Sequence, residues 1–238
     1  MKILCIPYAG SSATTYYKFS QLMNYRTKIV PIEIPGRGIK SAEDLEYSIS
    51  GIVEAIYDDV LEEIENDEAY VIYGHSMGSL IAYELAYKLL ADEGIHNKPR
   101  KLLVSGGKAP QLRTVNEENH KLPLDEFKEV ILSYGLTTSL DVINDEKILD
   151  FFIPIMRADF QAVEEYEFLN HDKLNIDLSC FWGINDKSTK YEEAVAWGKL
   201  TNGLFSIHSF PGNHFFIFEE REEFINAIMK EVDSFYYV

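Results

Sequence analysis

Cysteine is nearly missing from this chain: 238 residues contain two, Cys5 and Cys180, each inside an apolar run of strand character. With the strand order developed below they lie three strands apart, roughly 14 Å at the usual strand spacing, which is too far for a disulfide. They read as small core residues of a reduced compartment. Positive charge is also scarce. Lys and Arg number 22 against 39 Asp and Glu, a formal net charge of −17. That excludes nucleic acid as the expected partner, because no excess of cations exists to neutralise phosphates. It also disfavours anionic membrane surfaces. No apolar stretch approaches the length of a membrane span. The apolar start Met1–Ile6 is cut by Pro7, Tyr8 and Gly10 before it reaches signal-peptide length, so a cytoplasmic location is expected. Repeats and low-complexity linkers are missing too, and residues 1–238 read as one domain.

What is present is a regular alternation of strand and helix. Residues of the AVILMFWYC set make up 46% of the chain, enough for a substantial core. Strands are expected at Lys2–Tyr8, Lys28–Ile34, Tyr70–Gly74, Lys101–Ser105, Asp177–Trp182 and Leu204–Phe210. Helices are expected at about Thr14–Met23, Ala42–Glu65, Ser76–Ala91 and Phe216–Phe235. Such alternation predicts an α/β fold with a mostly parallel sheet and helices on both faces. One segment breaks the pattern. Between Ala109 and Lys173 only two helical patterns occur, about Pro123–Tyr134 and Asp145–Phe168. An all-helical insertion there would lie over the C-terminal edge of the sheet, where ligands bind in open α/β folds. It reads as a lid over an acyl pocket, with Leu132, Leu136, Ile153, Ile155, Met156, Phe160 and Val163 facing either that pocket or neighbouring helices.

The stretch Gly74-His75-Ser76-Met77-Gly78 fits G-x-S-x-G. An apolar run precedes it and an apolar-periodic segment (Leu80, Ile81, Leu85, Leu89) follows, so the motif sits at a strand–turn–helix junction. Small residues two before and two after the serine are needed because strand and helix pass very close. The turn lifts the hydroxyl above the sheet, and the helix start aims free N–H groups at any oxyanion forming there.

A nucleophile of this kind needs a base and an acid on loops after later strands, acid first. Six histidines are available. His75 lies in the elbow, His96, His120 and His171 precede the plausible acid, and His208 falls within a strand. His214, in Pro211-Gly212-Asn213-His214, is the one on a loop at the correct sheet edge. The acid is Asp186, three residues after Gly183 at the end of the fifth strand, placed to orient the imidazole. A capping histidine and a turn aspartate are the competing structural readings of these two. Oxyanion donors are expected from the Met77 N–H and from the loop Pro7-Tyr8-Ala9-Gly10, through Ala9 or, failing that, Tyr8.

These residues together resemble a stand-alone type II thioesterase of the α/β-hydrolase superfamily, the editing enzymes of nonribosomal peptide and polyketide synthases. Pro7-Tyr8-Ala9-Gly10 resembles the family's P-x-A-G-G loop and Pro35-Gly36-Arg37-Gly38 its L-P-G-R-G segment. Met156-Arg157-Ala158-Asp159-Phe160 is similar to its lid-helix R-A-D-F, and Trp182–Asp186 and Gly212–Phe216 to its acid and histidine segments. The resemblance implies acyl transfer to water through an acyl-enzyme on Ser76. It implies transient partners, acyl or peptidyl carrier domains whose phosphopantetheine arm bears the thioester, and neither a metal nor a bound cofactor. Arg37, Lys108, Arg113, Lys187 and Lys190 fall near segments that flank the expected site mouth, as partners for a phosphate, for an acidic carrier helix, or as solvated charges. A monomer is expected. A carboxylesterase, an acyl-CoA or fatty acyl-carrier thioesterase, and a catalytically silent carrier-binding protein are the alternatives.

Overall fold

The structure, a computed structural model, describes residues 1–65, 68–113, 118–135, 146–233 and 235, the side chains of 146–148 excepted. Six strands form one sheet: β1 (Lys2–Ile6), β2 (Lys28–Pro31), β3 (Tyr70–His75), β4 (Lys101–Ser105), β5 (Asp177–Gly183) and β6 (Phe205–Phe210), in the order β2-β1-β3-β4-β5-β6. Every adjacent pair is parallel. Alternate side chains go to opposite faces, as the strand period requires. Leu4, Ile6, Ile72, Leu102, Val104 and Cys180 join one apolar core with the helices α2 (Ile49–Ile64) and α3 (Met77–Ala91). Ile3, Cys5, Val71, Tyr73, Leu103 and Phe181 join the other, with Tyr16, Phe19 and the C-terminal helices α7 (Phe216–Glu219) and α8 (Arg221–Asp233). Cys5 and Cys180 are both free and buried, on strands three apart.

Several expected helices differ in extent. The first is a 3₁₀ turn, Ala13–Tyr16, followed by the single helical turn α1 (Tyr17–Ser20). Helix α2 begins at Ile49 rather than Ala42, because Ser48 is extended and its hydroxyl caps the Gly51 N–H at 3.0 Å. Leu45, which fits the helical stripe by spacing, instead covers the turn at Gly36: a Cβ there would stand 2.4 Å from the leucine. The C-terminal helix is broken at Glu220. The break brings Phe216 and Phe224 into edge contact at 5.8 Å, whereas a straight helix would hold them about 12 Å apart.

Among the described residues between β4 and β5 lie two longer helices, α4 (Leu124–Ser133) and α5 (Glu146–Glu164). Phe127 and Ile131 of α4 pack on Met156 and Phe160 of α5 in a small core of their own, with Ala9 against it. Leu136 and the rest of 136–145 lie outside the described residues. Short α6 (Tyr191–Val195) follows β5.

Candidate active site

Ser76 has φ 55° and ψ −117°, one of two non-glycine residues with positive φ among those described. The strain is held from all sides. A Cβ at Gly74 would lie 1.9 Å from the Gly78 carbonyl oxygen, and one at Gly78 would lie 2.4 Å from the Ile6 carbonyl oxygen. The Ser76 N–H donates to the Ser105 carbonyl at 2.8 Å, fastening the turn to β4. Strand and helix can therefore meet this closely only with glycine on both sides of the serine.

His214 Nε2 lies 2.9 Å from Ser76 Oγ, and His214 Nδ1 lies 2.9 Å from Asp186 Oδ2. The structure thus brings together the three side chains selected from the sequence, from positions 138 and 28 residues apart. His214 is buried to 4% exposure and Asp186 to 7%. Burial raises the Asp186 carboxyl, but the hydrogen bond and charge of His214 and two hydrogen bonds from Ser188 outweigh it and hold the group below the ordinary carboxylate value. The arrangement lets an imidazole take the serine proton while a carboxylate fixes its orientation.

Ser188 was not among the residues selected by sequence. Its N–H and its hydroxyl both donate to Asp186 Oδ1, at 2.8 and 2.7 Å, and the hydroxyl also lies 2.9 Å from His214 Nδ1. An aspartate followed two residues later by serine is an Asx-turn pattern, and that signal was available. His75 is the other unforeseen neighbour. Its ring is 5.0 Å from that of His214, and its Nδ1 meets Ser105 Oγ at 2.8 Å, which in turn meets Tyr73 OH at 2.8 Å. Burial, and then the charge of His214, push its pKa well down. The His75 imidazole is thereby held in its neutral form. His208 stacks on Phe181 and bonds Glu231, on the far side of the chemistry.

A cavity of about 320 Å³ opens over Ser76. Tyr8, Ala9 and Met77 line it on one side, and Ile131, Tyr134, Met156, Phe160 and Val163 of the insertion on the other. Of the insertion residues named from sequence, Met156, Phe160 and Val163 reach the cavity, while Leu132, Ile153 and Ile155 do not. Lys108, Arg113 and Lys187 also line it. Lys190 sits at the N-terminus of α6, away from it. Arg37 departs from expectation altogether. It is 2% exposed and forks onto Asp159 of α5, Nη1 to Oδ2 at 2.5 Å and Nη2 to Oδ1 at 2.7 Å, so it cannot meet a phosphate at the mouth. Among the described residues no cluster of side chains suits a metal ion, and no helix is long and apolar enough to cross a membrane.

A serine on a strained strand–helix turn, hydrogen-bonded to an imidazole and through it to a carboxylate, on a parallel sheet roofed by helices, defines a serine hydrolase of the α/β-hydrolase class. The sequence model of the family described as "Thioesterase domain" matches residues 1–232, and the chain belongs to that thioesterase family. It is accordingly a hydrolase of thioester bonds. It is similar to the gramicidin S biosynthesis protein GrsT of Aneurinibacillus migulanus, 31% identical over 98% of this chain and 89% of that one. It is also similar to the medium-chain S-acyl fatty acid synthase thioesterase of Rattus norvegicus, 31% identical over 96% and 87%. Among solved structures, RedJ, a thioesterase from the prodiginine biosynthetic pathway in Streptomyces coelicolor, superposes with a TM-score of 0.88. It is 31% identical and covers 97% of this chain and 85% of its own.

Proposed function

We propose that this protein hydrolyses aberrant or stalled acyl groups from the phosphopantetheine arms of carrier domains in nonribosomal peptide or polyketide synthesis. Ser76 Oγ attacks the thioester carbonyl carbon as its proton passes to His214 Nε2. The Met77 and Ala9 N–H groups receive the oxyanion, each worth about 3–4 kcal/mol in comparable sites. The C–S bond then breaks, and the departing thiol takes the proton from His214. Water, deprotonated by the same imidazole, adds to the acyl-enzyme, and the serine ester bond breaks as His214 returns the proton to Ser76 Oγ, releasing the acid. No cofactor is required, since the phosphopantetheine arrives on the partner. The protein acts as a monomeric, single-domain enzyme of the cytoplasm.

The observation that carries the chemistry is the pair of 2.9 Å contacts joining Ser76, His214 and Asp186 beneath the acyl-sized cavity. The carrier-bound substrate is supported by the relatives in antibiotic and pigment biosynthesis. Likeness to the rat fatty acid synthase thioesterase supports a second reading, release of medium-chain fatty acyl groups. Mass spectrometry of a panel of acylated carrier proteins after incubation separates the two. Broad removal of short acyl groups from synthase carriers is expected, and a strong preference for free p-nitrophenyl esters or medium-chain acyl-CoA would overturn the editing assignment. Ser76→Ala retaining thioesterase activity would overturn the catalytic one.

A further inference from the structure

Asp159 is fully buried on α5, yet both of its oxygens are committed to groups from elsewhere in the chain. Oδ2 accepts the Gly10 N–H at 2.6 Å as well as Arg37 Nη1. Arg37 Nη1 also approaches the Ser11 carbonyl at 3.4 Å. One carboxylate from the insertion therefore grips the loop after β1 at the residue next to Ala9. The grip is reinforced by packing. Gly10 has φ +74°, and a Cβ there would meet Met156 Sδ at 2.1 Å and the Phe152 ring at 3.0 Å, so α5 presses directly on this loop. Ser11 N–H closes the loop onto the Tyr8 carbonyl at 3.0 Å.

A buried ion pair is by itself a poor source of stability, since apolar residues of similar volume often serve as well. What a carboxylate adds here is a directional acceptor. It uses up the Gly10 N–H and fixes the plane of the Ala9–Gly10 peptide, while Ala9 itself borders the cavity over Ser76. An oxyanion donor misplaced by about 1 Å loses much of its effect, of the order of 100-fold in rate.

We propose that Asp159 is a positioning residue for the oxyanion hole, tethering Gly10 from the lid helix so that the Ala9 N–H faces the reacting carbonyl. The proposal rests on the reading of Ala9 and Met77 as oxyanion donors. It makes α5 a fixed wall of the site: Met156 and Phe160, which border the acyl group, ride on the same rigid turn as the carboxylate that sets the oxyanion loop.

Two double variants isolate the tether from the charge. R37M/D159N removes the ion pair but keeps an oxygen acceptor for Gly10, whereas R37M/D159L removes both and leaves no buried orphan charge. The acceptor-keeping variant is expected within about threefold of the parent kcat. R37M/D159L is expected about 10- to 100-fold lower in kcat, with KM within about threefold and a melting temperature like that of its sister. Its affinity for an alkyl boronic acid, which forms a tetrahedral anion on the serine, should fall by the same factor. Should R37M/D159L not fold, R37M/D159A takes its place. Equal kcat in the two double variants, or a loss confined to KM, overturns the assignment. Labelling by a fluorophosphonate, mapped by mass spectrometry, keeps the layers apart. A parent protein unlabelled at Ser76 sinks the serine mechanism and this proposal with it. Labelling at Ser76 at equal rates in parent and both variants sinks the tether alone.

Discussion

The Ser188 hydroxyl stands 2.9 Å from His214 Nδ1, sharing that nitrogen with Asp186. Because the same hydroxyl and its N–H both donate to Asp186 Oδ1, Ser188 favours the ionised carboxylate and leaves Oδ2 for the imidazole. Ser188→Ala removes one of those donors and leaves the N–H. The expected result is a kcat about 3- to 10-fold lower, the size of one ordinary hydrogen bond. The sign of the pH effect follows from the depressed Asp186 carboxyl. Losing a donor to the charged form raises that pKa toward the ordinary value. The stability lost on acidification should therefore be smaller in the variant than in the parent, which urea unfolding at a series of acid pH values reads directly. Full activity with an unchanged acid dependence of stability would reduce Ser188 to a turn residue.

Gly78→Ala tests why the elbow needs its glycines. The added methyl would stand 2.4 Å from the Ile6 carbonyl oxygen and 2.7 Å from that of Pro7, both backbone atoms at the end of strand β1. Neither can swing aside as a side chain would, so α3 must lift away from the sheet and carry the Ser76 turn with it. Overpacking of this kind costs about 1–3 kcal/mol or more. A drop of at least about tenfold in kcat is expected together with a lower melting temperature, measured on purified protein. A variant with unchanged activity and stability would contradict the close packing of elbow and β1.

The three side chains that meet at Ser76 could be picked out of the sequence because each sits in a short local pattern: glycine around Ser76, a turn before His214, a strand opening at Asp186. The six strands followed from the alternation of elements, and the structure keeps all six. What could not be read was contact at a distance. Arg37 and Asp159 each belong to a recognisable segment, but they are 122 residues apart, and nothing local says that one closes on the other. The start of α2 was misread for a different reason. Leu45 has the right spacing for the helical stripe, yet the turn at Gly36 claims it, and tertiary packing overrode periodicity. Met156 and Phe160 could be named as pocket candidates, but separating them from Ile153 and Ile155 required the rotation of α5 about its axis.

Behind the sheet, Glu231 of α8 gathers Lys101 and Ser179 on Oε2, and His208 and Ser206 on Oε1, tying three strands to the last helix. Burial raises this carboxyl, but the hydrogen bonds from His208, Lys101 and Ser179 and the charge of Lys101 outweigh it and hold its pKa far below the usual range. A depressed folded-state pKa means that the folded protein binds fewer protons than the unfolded chain near the ordinary glutamate value of about 4.3. The stabilisation is then complete above that value and is lost as pH falls through the folded one. Glu231→Gln should accordingly be less stable than the parent by a margin that is constant from about pH 6 to 7 and narrows below about pH 4. Urea unfolding at several pH values measures it. A margin that does not change with pH would assign the loss to packing and not to charge.

Acyl length should be set by the wall that α4 and α5 present to Ser76. Phe160 is buried between Phe127 and Tyr134, at ring distances of 5.2 and 5.9 Å, and Ile131 beside it borders the same cavity. Ile131→Trp adds bulk to that wall from α4 and replaces none of the reacting groups Ser76, His214 and Asp186. A two-carbon acyl group needs little of the cavity and should be hydrolysed within about threefold of the parent rate. Each methylene that finds its space occupied forfeits up to about 1–3 kcal/mol of binding in the transition state. Six- and eight-carbon acyl groups should therefore lose more than about tenfold in kcat/KM, and the ratio between long and short substrates is the quantity to measure. A uniform loss across all lengths would mean that the tryptophan disturbs the reacting centre. An unchanged ratio would mean that long acyl chains leave the site by another path, away from the α4–α5 wall.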